Sequence, residues 1–163
     1  MFELACATVF LGAMAFAGAK DMLTMTIPNR ISIALVIGFY IVALLAGLDA
    51  QAIALHTAVG LMILCAGIFL FSCGWIGGGD AKIFAAASLW FGFDMLGQFA
   101  IATAVFGGAL TGLILVIRIM PLPQFLTRIS WIDRLHRPEV GIPYGIAIAA
   151  AALLLYPSIS WIS

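Results

Sequence analysis

Apolar residues run through this chain in long stretches, and the few polar breaks divide it into six. The stretches lie near Phe2–Ala19, Ile31–Leu48, Ala52–Cys73, Ala81–Phe93, Met95–Ile117 and Ile142–Trp161. They are too long for barrel strands, and most approach the ~20 residues a helix needs to cross a bilayer. The expected fold is therefore all-α, a polytopic bundle of six transmembrane helices. The fourth stretch is short. It must begin inside the preceding glycines or continue past Asp94 before turning. The longest polar connection, Met120–Gly141, opens with Pro121 and Pro123. It then places Phe125, Leu126, Ile129, Ile132 and Leu135 at near-helical spacing, with Arg128, Arg134 and Arg137 between or after them. With Trp131 suited to an interface, this segment predicts an amphipathic helix lying on the lipid surface. Packing on neighbouring spans is the plainer alternative.

Composition agrees with a membrane protein. Of 163 residues, 65% are hydrophobic and 9% charged, and the mean hydropathy is +1.23. The formal net charge is zero, so a nucleic-acid partner has no electrostatic footprint. Cys6, Cys65 and Cys73 all sit in apolar runs with no Cys-x-x-Cys pair, which reads as small buried side chains rather than a redox or zinc site. The first run resembles a signal peptide around Ala15–Ala19 but lacks a basic start, since Glu3 is the first charge. It reads as a retained first span with its N-terminus outside.

Charge then orients the spans. Lys20 and Arg30 fall in the first loop, Lys82 beside the glycines, and Arg118, Arg128, Arg134 and Arg137 between spans five and six. With six alternating crossings every Lys and Arg reaches one face, which the positive-inside rule makes cytoplasmic. Glu3, Asp49 and Asp94 occupy the other face.

The most costly local feature is Gly74-Trp75-Ile76-Gly77-Gly78-Gly79-Asp80-Ala81-Lys82. Glycines break a membrane helix and an acid there is expensive, so such a segment persists where it is buried in protein or faces water. Asp21 lies at the same face, followed by Met22 through Ile27-Pro28-Asn29. Each acid has an ordinary explanation, Asp80 as an N-cap and Asp21 as a helix-end residue paired with Lys20 or Arg30. Asp133 and Glu139 need no more than a solvated helix face and a turn. A phosphate loop fails because Gly-x-x-x-x-Gly-Lys-Ser/Thr is absent. Metal binding is thin, because His56 is expected on the other face and His136 in the amphipathic segment. Two carboxylates brought together cannot both ionise, so they share a proton and titrate as a unit. One then takes a proton from water while the other hydrogen-bonds a carbonyl under attack. This chemistry needs no cofactor.

These residues resemble the prepilin peptidases, within the Gly-x-Gly-Asp class of intramembrane aspartic proteases. Asp21 with Ile27-Pro28-Asn29 is similar to the first aspartate motif, and Gly77-Gly78-Gly79-Asp80-Ala81-Lys82 to the second. Ile142-Pro143-Tyr144-Gly145 resembles the opening of the final helix. The resemblance implies a single membrane-embedded peptidase domain over residues 1–163, with Asp21 and Asp80 catalytic. Pro28, Asn29, Gly77, Gly78, Gly79, Lys82, Pro143 and Tyr144 would shape the site or bind substrate. By position alone, two residues beyond Asp80, Lys82 would either lower the pKa of that acid or reach lipid phosphate. The resemblance further implies prepilin substrates with a short basic leader, a Gly before the cut and an apolar helix after it. Cleavage would occur at the cytoplasmic face of a bacterial inner membrane. The short form is similar to the leader peptidases of Flp-type pili, and methyl transfer is not implied. A proton- or ion-coupled carrier and a non-catalytic part of a pilus or secretion machine are the competing readings. A carrier would move solute, and a structural protein would tolerate Asp→Asn.

Overall fold

The computed structural model describes residues 2–161, with side chains from Cys6 onward. The Glu3 side chain, assigned above to the outer face, lies outside the described residues. Among those described there are seven α-helices, one short 3-10 turn and no strands. They are α1 (Phe2–Thr24), α2 (Asn29–Leu45), α3 (Ala50–Ser72), α4 (Gly78–Ile119), α5 (Gln124–Thr127), α6 (Ser130–His136) and α7 (Tyr144–Leu155). Large apolar side chains such as Leu44, Phe69, Ile101 and Val105 stay exposed, which fits a bundle solvated by lipid rather than water.

The fourth and fifth expected spans follow one another directly as the two arms of α4, with no loop between them. At 42 residues a straight α4 would be about 63 Å long, twice a hydrocarbon core. It is not straight. Gly92 has φ 63° and ψ −170°, and the chain doubles back there. Phe84 and Phe99 are fifteen residues apart, about 22 Å along a straight helix. Their rings instead stack with centroids 4.6 Å apart. The two arms of α4 therefore lie antiparallel. With α1, α2, α3 and α7 they make six apolar rods in the expected order, and the fourth begins within the glycines at Gly78.

Reversal at a single residue frees the last carbonyls of the first arm. Two side chains take them. His56 Nδ1 donates to the Leu89 carbonyl at 2.6 Å, which requires the Nδ1–H tautomer, and Trp161 Nε1 donates to the Trp90 carbonyl at 2.9 Å. Around this corner Phe10, Phe39, Trp90, Phe91 and Trp161 pack ring against ring. Trp90 is fully buried and its Nε1 donates to the Leu35 carbonyl of α2 at 3.0 Å. Trp90→Phe removes that hydrogen bond and leaves a void. The expected cost is about 1–3 kcal/mol, read as a lower thermal midpoint in detergent.

Three further expectations are corrected. Helix α1 continues past Ala19 to Thr24, so Asp21 lies inside its last turn rather than beyond the span. The single amphipathic helix is instead two short helices, α5 and α6, because the chain is extended at Ile129 (φ −94°, ψ 105°). Helix α6 is tied to the bundle, and α5 packs on α6. Arg118 Nε donates to the Leu135 carbonyl at 2.8 Å and Arg134 Nη1 to the Leu23 carbonyl at 2.9 Å. The last rod begins at Tyr144, after Pro143, two residues later than expected.

Candidate active site

Asp21 is held by the way α1 stops. Met25 takes a left-handed conformation (φ 54°) and its N–H bonds the Asp21 carbonyl at 2.7 Å. This closes the helix with a 5→1 bond that a glycine usually makes. Tolerating it in a bulky residue costs roughly 1–2 kcal/mol, and backbone strain of this kind clusters at functional sites. The side chain is buried at 6% exposure. Its Oδ2 accepts the Gly145 N–H at 2.8 Å, one of the N–H groups that has no partner inside the first turn of α7.

Asp80 sits in the first turn of α4, but the N-cap is Gly77. The alternative explanation of Asp80 as the N-cap residue therefore does not hold. Three positions into the helix, its carboxylate accepts the Gly77 N–H, the reciprocal half of a capping box. A methyl group on Gly77 would lie 2.8 Å from Asp80 Oδ2, so the acid folds back over a residue with no side chain. The two acids lie at one end of the bundle, close enough for the Asp21 charge to act on Asp80. Ile27 packs between their supports. Its Cβ is 3.2 Å from where a Gly79 methyl would be, and its Cδ1 is 2.8 Å from the same point on Gly145.

Asp80 opens onto a cleft of about 820 Å³ between α3, both arms of α4 and α7, lined also by Gly67, Phe84, Thr103, Tyr144 and Ile148. Tyr144 packs its ring on Gly107, where a methyl group would come within 2.5 Å, and its hydroxyl meets Thr111 Oγ1 at 3.2 Å. Arg118 forms part of the rim and holds the Val140 carbonyl at 2.8 Å. It thereby fixes the segment leading into Pro143 and Gly145. Asp21 does not line this cleft; it lies behind it, against Gly145.

The expected site residues divide between two places. Asp21, Asp80, Gly77, Gly79, Pro143 and Tyr144 gather at the cleft or its supports. Asn29, Gly78 and Lys82 face a different groove. There the Lys82 ammonium donates to Asn29 Oδ1 at 3.0 Å. Pro28 is the N-cap residue of α2. Sequence reasoning did not single out Gly145, Ile27 or Arg118. Gly145 stood within a recognised motif, but its role as a backbone donor emerges only when α7 meets α1.

Comparison with known proteins gives the family. The type IV leader peptidase family matches over residues 8–117, which includes both acids. The chain is 30% identical over 154 residues to the prepilin leader peptidase/N-methyltransferase of Bacillus subtilis, covering 94% of this chain and 56% of that relative. It thus spans about half the length of the relative. No solved structure matches it.

Proposed function

Because the chain belongs to the type IV leader peptidase family, we propose that it is an aspartic endopeptidase that removes the leader from prepilins, with Asp21 and Asp80 as the catalytic pair. The observation that carries this reading is that two carboxylates from distant helices lie at one end of the bundle, near enough for the Asp21 charge to act on Asp80, one buried and one opening on an apolar cleft. Two carboxylates that close on a substrate cannot both stay ionised, so the pair would hold one proton between them. The ionised member takes a proton from water as the water oxygen bonds to the scissile carbonyl carbon. The protonated member gives its proton to the carbonyl oxygen. Collapse of the tetrahedral intermediate breaks the C–N bond as one hydroxyl returns its proton to the acid that gave one, and the departing amine receives a proton from the acid that first took one. The Gly145 N–H orients Asp21 throughout.

The cleft supports this choice of substrate. Its walls of Ile63, Leu70, Phe84 and Ile148 suit the apolar helix of a pilin precursor. The broken backbone at residues 74–77 leaves Asp80 open to an extended peptide, which a continuous helix would not do. With the basic residues on the cytoplasmic side, the cut falls at the cytoplasmic face of the bacterial inner membrane, where a basic leader lies. A pilus of the Flp type is the proposed system.

The test is direct. Purified protein, reconstituted with a candidate precursor, is expected to produce a leader-length mobility shift with a new N-terminus after Gly. Solute flux without cleavage would overturn the reading. Gly145→Ala probes the support of Asp21, since the new methyl would lie 2.9 Å from Asp21 Cβ and 2.8 Å from its Oδ2. Displacing a reacting group by about 1 Å costs on the order of 10²-fold in rate. Cleavage is expected to fall by about that factor, and overpacking against Asp21 and Ile27 should lower the thermal midpoint modestly as well.

A further inference from the structure

The second groove lies on the opposite side of the first arm of α4 from the cleft. Helices α2 and α3 both pack on α4 but scarcely touch each other. The gap between them is a trough of about 780 Å³ floored by Ala85 and Leu89, with Ile33, Ile37 and Leu64 on its sides. At one end are Lys82, Asn29 and the uncapped start of α2. At the other end the Tyr40 hydroxyl meets Thr57 Oγ1 at 3.0 Å and bridges the two helices.

We infer that this trough is a binding site for one glycerophospholipid with an anionic headgroup, its phosphate on Lys82 and one acyl chain running between α2 and α3. Three observations select this occupant. Lys82 is exposed and has no ion-pair partner among the described residues, where the one ion pair joins Arg137 and Asp133. Its ammonium therefore carries an unneutralised charge at the membrane boundary, and a phosphate supplies the counter-charge. The trough is apolar from that point onward, which suits hydrocarbon. Its length also fits. From Asn29 to Tyr40 helix α2 rises about 16 Å, close to the ~15 Å of one leaflet's share of the hydrocarbon core. The Tyr40–Thr57 bridge thus closes the trough near the depth at which an acyl chain ends. A peptide helix spanning both leaflets would run into that bridge.

The site also touches the acids' supports. Lys82 is two residues beyond Asp80, and Asn29 is two residues beyond Ile27. A phosphate on the Lys82–Asn29 pair would hold the start of α2 against the start of α4. The inference rests on the membrane setting alone and does not require proteolysis.

Native mass spectrometry of the full chain in detergent, titrated with phosphatidylglycerol or phosphatidylcholine, tests it. One phosphatidylglycerol is expected to bind about fivefold more tightly than phosphatidylcholine, the worth of one lysine near anionic lipid. Lys82→Gln should remove this preference. Ile37→Trp, at a lipid-exposed position of the trough wall, should remove the tightly held lipid by filling its place. Ile101→Trp, exposed on the second arm of α4, should leave it. If either Lys82→Gln or Ile37→Trp retains lipid as the parent does, the site is not there. Displacement of the lipid by an apolar precursor peptide would assign the trough to a protein helix and overturn the proposal as well.

Discussion

Asp21→Asn and Asp80→Asn are each expected to abolish leader removal, with a fall of about 10³-fold or more, while the protein still folds. An amide keeps the shape of the carboxyl group but cannot take a proton from water. Asn at position 21 can still accept the Gly145 N–H through its amide oxygen, so the contact between α1 and α7 persists. Asn at position 80 can likewise keep the bond to Gly77. Conservative replacement therefore separates chemistry from architecture. The measurement is initial rate on a reconstituted precursor, with helicity and thermal midpoint followed in parallel. In the proposed mechanism the two acids act as one unit, so the double variant should be no slower than either single one. Cleavage at the parent rate by either single variant would end the two-acid mechanism. It would return Asp80 to the role of a helix-start residue satisfying Gly77.

Gly92→Ala should give the largest loss of stability from any single methyl group. The residue combines φ 63° with ψ −170°, a region essentially confined to glycine and costing other residues about 1–3 kcal/mol. Space is also lacking, since the new methyl would lie 2.7 Å from the His56 ring. That ring cannot retreat freely, because it is bonded to the Leu89 carbonyl and stacked on Phe39. Relief requires opening the reversal, which would separate Phe84 from Phe99 and widen the cleft. A sharply lower thermal midpoint and poor recovery of folded protein are the expected outcome. Gly97→Ala is the control, because Gly97 is helical with open space around it. It should be neutral or slightly stabilising. Equal behaviour of the two variants would mean that the reversal at Gly92 is not required.

The difference between these two glycines illustrates what could be read in advance. Both stand in an apolar run, and nothing in composition marks Gly92 as a corner. The short fourth stretch did indicate that something must turn near Asp94. The turn takes one residue, because His56 and Trp161, remote in sequence, absorb the carbonyls it exposes. Asp80 was legible for the opposite reason. Its cost is local, an acid beside three glycines in a lipid-facing run, and local costs are visible in a string of residues. The interfacial segment was read as one helix from its periodicity. Periodicity does not register that the chain would turn extended at Ile129, or that Arg118 and Arg134 would tie α6 to the rest of the fold through backbone carbonyls.

Hydrophobicity, charge placement and helix breakers act over a few neighbouring residues. Sequence alone was therefore enough to determine a polytopic helical protein and two acids expected at one membrane face. The tertiary structure decided what depends on contacts between distant residues. It set Asp21 behind the cleft on the Gly145 N–H and Asp80 open to it. It folded α4 back on itself, and it turned Lys82 and Asn29 away from the acids toward a separate trough. Each of these outcomes follows from which helices pack together, and that is settled by the fit of small residues, rings and freed carbonyls across the bundle.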